Sequence, residues 1–149
     1  MTEPSDQKLR ILFIEDNPND VELALDALRE QKLANRIQVV RDGAEALDFL
    51  FRTGVYASRQ NNFPKLVLLD LKLPKISGLE VLAHIRADPR TQALPVVVLT
   101  SSREETDIVE SYNLHVNSYI VKPVDYEQFT EAVRQIGFYW LLLNQPPKV

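Results

Sequence analysis

Five short apolar runs alternate along this chain with stretches of helical periodicity. The runs are Leu9–Ile14, Ile37–Val40, Leu66–Leu69, Pro95–Leu99 and Val116–Val121. The periodic stretches are Val21–Gln31, Ala44–Arg52, Leu79–Arg86, Glu104–Tyr112 and Tyr126–Leu143. In the first, Val21, Ala24, Leu25 and Leu28 share a face; in the second, Ala44, Leu47, Leu50 and Phe51 do. Leu66-Val67-Leu68-Leu69 and Pro95-Val96-Val97-Val98-Leu99 hold no polar residue, as strands buried on both faces require. The order βαβαβαβαβα demands a parallel sheet, right-handed crossovers and helices on both faces.

The class is therefore α/β. Five strands suit a flavodoxin-like (βα)5 three-layer sandwich with a parallel sheet of order 2-1-3-4-5. Sites in such sheets form beyond the carboxyl ends of the strands, here between the first and third. With 149 residues, the chain reads as one domain, 1–149, with a core of about 8–143. The stretch Gly54–Lys65 is a polar loop, long for its position. A net charge of −4 without a basic stripe argues against nucleic acid as a partner. The absence of cysteine excludes disulfides and thiolate metal sites. No apolar run approaches the ~20 residues that cross a bilayer. Met1–Arg10 is polar and lacks the apolar core of a signal peptide, so a cytoplasmic domain away from membranes is expected.

The strand ends carry residues that a core does not want. The first run ends in Glu15-Asp16, the third in Asp70 and the fourth in Thr100, and Lys122 follows the fifth. In a parallel sheet these ends share one edge, which gathers carboxylates, a hydroxyl and an ammonium in one crevice. Adjacent carboxylates repel and do not all ionise unaided. A hard divalent cation relieves this; Mg²⁺ is commonly held by one or two carboxylates plus a phosphate. Lys122 offers a compact charge to Asp70 or to phosphoryl oxygens, and Thr100 offers a donor. A carboxylate beside such a cation is equipped to attack phosphorus. Each residue alone has a plainer reading. Asp16 or Asn17 can cap the first helix with Pro18 at its first position, and Thr100-Ser101-Ser102 can cap the fourth. Lys122 can be a solvated surface lysine. The joint occurrence of these residues favours the site.

With those residues in view, the chain resembles the receiver domain of two-component response regulators. The matching segments are Ile14-Glu15-Asp16-Asn17, Leu69-Asp70-Leu71-Lys72-Leu73-Pro74 with Gly78, Leu99-Thr100-Ser101 and Val121-Lys122-Pro123. The likeness spans about Lys8 to Val133. It implies that Asp70 is the phosphoryl acceptor. It implies Mg²⁺ as cofactor, held by Glu15, Asp16, Asp70 and the backbone carbonyl of Lys72. Thr100 and Lys122 would contact the phosphoryl oxygens, and Tyr119 would swing inward as Thr100 moves. The bond between Lys122 and Pro123 would be cis. The implied partner is a sensor histidine kinase. A narrower likeness is to small stand-alone receivers that serve cyanobacterial phytochrome kinases. It rests on the short chain, the insertion before the third strand and the apolar tail Trp140-Leu141-Leu142-Leu143.

Other readings share part of this chemistry. A phosphoaspartyl hydrolase carries a second acid two residues after its nucleophile, where this chain has Lys72. A flavin carrier needs a hydroxyl- and glycine-rich loop after the first strand, where Glu15-Asp16 would repel a phosphate. An inactive receiver-like interaction module is a further alternative. The expectation is a signalling switch with slow self-dephosphorylation rather than a metabolic enzyme. The last helix adds one more. Phe129, Ala132, Val133, Ile136, Trp140 and Leu143 supply a face for the sheet, yet Phe138, Tyr139, Leu141 and Leu142 are also apolar and point elsewhere. Such a patch marks an interaction site, so a two-fold homodimer through this helix is expected.

Overall fold

The strands are β1 (Ile11–Ile14), β2 (Ile37–Val40), β3 (Leu66–Asp70), β4 (Val96–Thr100) and β5 (Ser118–Val121). The helices are α1 (Pro18–Glu30), α2 (Gly43–Phe51), α3 (Gly78–Ala87) and α4 (Arg103–Ser111). In this computed structural model, which describes residues 11–30, 37–59, 63–101 and 103–122 with positions 127 and 131, all five strands pair in parallel. Their order is β2-β1-β3-β4-β5, as the alternation requires. The expected last helix beyond these positions, including Phe138, Tyr139, Leu141 and Leu142, lies outside the described residues. So does the bond to Pro123.

Every residue of β1, β3 and β4 is buried, while the edge strands β2 and β5 are mostly half-buried. Side chains alternate between two cores. Ile11, Phe13, Leu66, Leu68, Val97 and Leu99 meet Val21, Ala24, Ala27 and Leu28 of α1. Leu12, Ile14, Val67, Leu69, Val96 and Val98 meet residues of α2 and α3 and Val109 of α4. Each large apolar side chain buried this way contributes roughly 1.5–3 kcal/mol before entropy is counted.

Several boundaries differ from the sequence expectation, each for a local reason. Helix α1 begins at Pro18 rather than Val21, because Asn17 Oδ1 accepts hydrogen bonds from the backbone of Asn19 (2.8 Å) and Asp20 (3.2 Å). Helix α2 buries Gly43, Ala46, Phe49 and Leu50, which turns the expected face and leaves Leu47 and Phe51 at the periphery. Strand β5 begins at Ser118 rather than Val116. Asn117 stands in for the ladder there: its N–H donates to Val96 O and its Oδ1 accepts from Val96 N, both at 2.8 Å. The loop after α2 is not featureless. Gly54–Tyr56 forms a 3-10 turn, and the Arg59 guanidinium lies 4.0 Å above the Phe49 ring and donates to Phe49 O at 2.9 Å. The loop's polar groups thereby answer carbonyls at the end of α2.

Candidate functional site

The carboxyl ends of the strands converge as the parallel topology dictates. Glu15 N donates to Val40 O at 3.0 Å, which carries the ladder one residue past β1 and turns the Glu15 side chain inward. Glu15 is fully buried, Asp70 is 4 % exposed and Thr100 is 1 % exposed, whereas Asp16 faces solvent. Glu15, Asp16 and Asp70 each place a carboxylate oxygen within 4.8 Å of the others. Lys122 N donates to Thr100 O at 2.6 Å, tying the end of β5 to the end of β4. Gly78 braces the Asp70 backbone from behind. Its N–H donates to Leu71 O at 2.9 Å, and a Cβ there would stand 2.3 Å from Asp70 O. Only glycine lets α3 start this close to the backbone of Asp70.

Asp70 is held from two sides. Its Oδ1 accepts from Lys72 N and its Oδ2 from Lys122 Nζ, both at 3.1 Å. Lys122 Nζ also lies 3.1 Å from Glu15 Oε1 and 2.9 Å from Asp20 Oδ2. Burial acts to lower the pKa of this ammonium. The hydrogen bond to Asp20 and the charges of Asp70 and Glu15 outweigh it, so the net direction is upward. Burial pushes Glu15 up to about 8, helped by the hydrogen bond and charge of Asp70 and opposed by Lys122. Glu15 Oε1 is buried and, despite its ion pair, makes no hydrogen bond. Among the described residues, three carboxylates thus crowd one ammonium, and Asp16 lies close to two of them. A set of hard oxygen donors with negative charge left over fits a divalent cation.

The structure brings together Glu15, Asp16, Asp70 and Lys122, with Thr100 buried at the neighbouring strand end. Lys72 adjoins Asp70 through its backbone. Its side chain is 74 % exposed and stands 3.7 Å from Glu105. Tyr119 is half-buried and lines a cavity of about 270 Å³ with Val109, Glu110, Asn113, Leu114, His115 and Val116. Burial, then the charge of Glu110, raises its hydroxyl pKa. Sequence reasoning missed Asp20. It reads as an acid in the first turn of a helix, and its one clue was its place one turn after Asp16.

Residues 11–134 match the response regulator receiver domain, and the chain belongs to that family. Receiver domains are signalling switches, and this one is homologous to phytochrome response regulators. It is 53 % identical to the bacteriophytochrome response regulator AtBRR, with a TM-score of 0.76 over 91 % of this chain and 97 % of that one. It is 38 % identical to the response regulator Rcp1 of Synechocystis sp. (strain ATCC 27184 / PCC 6803 / Kazusa), over 95 % of each chain. The Mn²⁺-bound form of Rcp1 superposes with a TM-score of 0.77 over 93 % of this chain and 98 % of that one. A further relative, "Probable methanogenesis regulatory protein FilR2" of Methanothrix harundinacea (strain 6Ac), is 41 % identical over 92 % of this chain and 86 % of its own length. Among the described residues, no helix is long and apolar enough to cross a membrane.

Proposed function

We propose that this chain is the phosphorylation-controlled partner of a phytochrome-type sensor histidine kinase, with Asp70 as acceptor. The observation that carries this reading is the hold on Asp70. A buried carboxylate at the topological switch point is fixed by Lys72 N–H on one oxygen and by Lys122 on the other, beside Glu15 and Asp16. An Asp70 oxygen attacks the phosphorus of a phosphohistidine. The new O–P bond forms as the P–N bond breaks, and the histidine nitrogen keeps the electron pair. Lys122 and Thr100 then face the phosphoryl oxygens. Asp16, Asp70 and the Lys72 carbonyl, with Glu15 behind them, would hold Mg²⁺, which when bound offsets charge on the donor. The acidic cluster and the Mn²⁺ form of Rcp1 support a divalent cation here. Slow hydrolysis of the acyl phosphate resets the switch, and Thr100 and Tyr119 relay its state to a protein-binding surface. The reading includes a cytoplasmic location.

Phosphotransfer from a panel of kinases tests it, with both phytochrome and non-phytochrome sensors because FilR2 is also a relative. Base-labile label is expected on the wild type from the phytochrome kinase and none on Asp70→Asn. Label that persists in Asp70→Asn at the wild-type level overturns the assignment. The homodimer through Phe138, Tyr139, Leu141 and Leu142 belongs to the same proposal. Sedimentation should show a dimer that a Phe138→Ala, Leu142→Ala double variant loses. A wild type that stays monomeric at tens of micromolar, with or without a phosphoryl mimic, rules it out.

A further inference from the structure

We propose that Asp20 is a positioning residue for this phosphoryl transfer. It holds the Lys122 ammonium on the α1 side of the crevice and competes for it with a phosphoryl group on Asp70. The inference rests on Asp70 being the acceptor. Asp20 Oδ2 makes the shortest contact of the three carboxylates around Lys122 Nζ, 2.9 Å against 3.1 Å for Glu15 and Asp70. Its place is fixed, because its N–H donates to Asn17 Oδ1 in the first turn of α1. It stands outside the cluster of Glu15, Asp16 and Asp70. An acid in a first helical turn is favourable on its own, but that role needs no lysine from the end of β5.

Counting protons gives the competition. An ammonium has three donors, and Glu15, Asp20 and Asp70 occupy the space around all three. On phosphorylation Asp70 becomes an acyl phosphate and loses its carboxylate charge, and the phosphoryl oxygens draw the ammonium away from Glu15 and Asp20. The Glu15 side chain is 0 % exposed, and losing the ammonium would cost it a donor that water cannot replace. The Asp20 side chain is 21 % exposed, and water can take over its contact. Asp20 is therefore the partner that Lys122 exchanges for the phosphoryl group. Its grip favours the unphosphorylated state.

The test is the affinity of the full chain for beryllium trifluoride, a phosphoryl mimic, in the presence of Mg²⁺. Asp20→Asn should bind it about two- to fivefold more tightly, the scale of one partly exposed ion pair. Asp20→Glu, which keeps the charge, should stay nearer the wild type. The gain should vanish in a Lys122→Gln background, since Asp20 acts through Lys122. A second readout does not depend on that variant folding: after labelling with acetyl phosphate, the phosphoryl group on Asp20→Asn should outlast that on the wild type by a similar factor. A helix-stabilising role alone would move the melting temperature and neither of these quantities. Unchanged affinity and lifetime in Asp20→Asn overturn the proposal. An equal gain with Lys122→Gln also overturns it, as that would be a general field effect. A wild type that takes no label at Asp70 overturns the acceptor reading itself.

Discussion

The two ends of the sheet bury polar groups in opposite ways. At the amino ends of β4 and β5, the Arg86 guanidinium donates to four carbonyls: Leu114 (2.7 Å), Gln92 (3.0 Å), Leu94 (2.7 Å) and His115 (2.6 Å). Burial lowers its pKa, and carbonyl dipoles answer the charge. The turn it holds has left-handed backbone at Asn113 (φ 56°) and His115 (φ 58°), a strain of about 1 kcal/mol or more for each. Donors there meet acceptors. At the carboxyl ends, by contrast, like meets like: Glu15, Asp20 and Asp70 surround one ammonium, and the Glu15 carboxyl is pushed up to about 8. A satisfied polar group needs nothing more and holds a loop. A crowd of carboxylates is left with charge that a ligand can relieve, which is how a perturbed site differs from a structural one.

Arg86→Ala should separate the two ends most sharply. It removes the donor from four carbonyls, two of them in a strained turn. The expected loss is about 2 kcal/mol after water takes over part of the bonding, or a melting temperature lower by about 4–8 °C. Acetyl phosphate should still label Asp70 below that melting point. A folded Arg86→Ala that takes no label would show that the ends are not separable.

Much of the carboxyl end was legible in the sequence, and much of the amino end was not. The continuous runs of β1, β3 and β4 name buried strands, and their parallel order puts Glu15, Asp70 and Thr100 on one edge with Lys122 beside them. Arg86 and Asp20 carry no such signal. Each looks like an ordinary charge at a helix end, cationic at the last turn of α3 or acidic at the first turn of α1. Their partners lie 28 residues away for Leu114 and about 100 for Lys122, and only tertiary packing chooses them. The loop after α2 hid its order for a related reason. Arg59 reads as a solvated charge until the Phe49 ring stands beneath it.

A smaller effect should come from Glu15. Its carboxyl is raised from 4.5 to about 8 in the metal-free fold, by burial first and then by Asp70. Folding therefore favours the protonated form. That contribution is complete below the unfolded value and is lost as pH rises through about 8. In a chelator, Glu15→Gln should match the wild type in stability near pH 5. It should exceed the wild type above pH 8 by on the order of 1 kcal/mol. Mg²⁺ should shrink that advantage, because the wild-type carboxylate then has a counter-charge. Denaturant melts across pH check this, and a gap that does not change with pH would mean that Glu15 is not the strained group.

The smallest effect belongs to the pair at the rim of the same site. Lys72 Nζ stands 3.7 Å from Glu105 Oε2, and the Lys72 side chain is 74 % exposed. Glu105 does not depend on it, since its carboxylate accepts from Ser101 N at 2.8 Å and Ser101 Oγ at 3.0 Å. An exposed lysine gives up rotamer freedom to hold such a contact, and water screens what it gains. Lys72→Ala should therefore change stability by less than about 0.5 kcal/mol, with no dependence on added salt. Lys72 lies only two residues from Asp70 in the chain. If nearness to the site made a charge pair strong, this pair would rank with those of Lys122. If burial does, as the 0 % and 5 % exposure of the Glu15 and Asp70 side chains argues, its loss should be lost in the noise of a melt. A drop of 1 kcal/mol or more would place the strength of this site in its surface field rather than in its buried carboxylates.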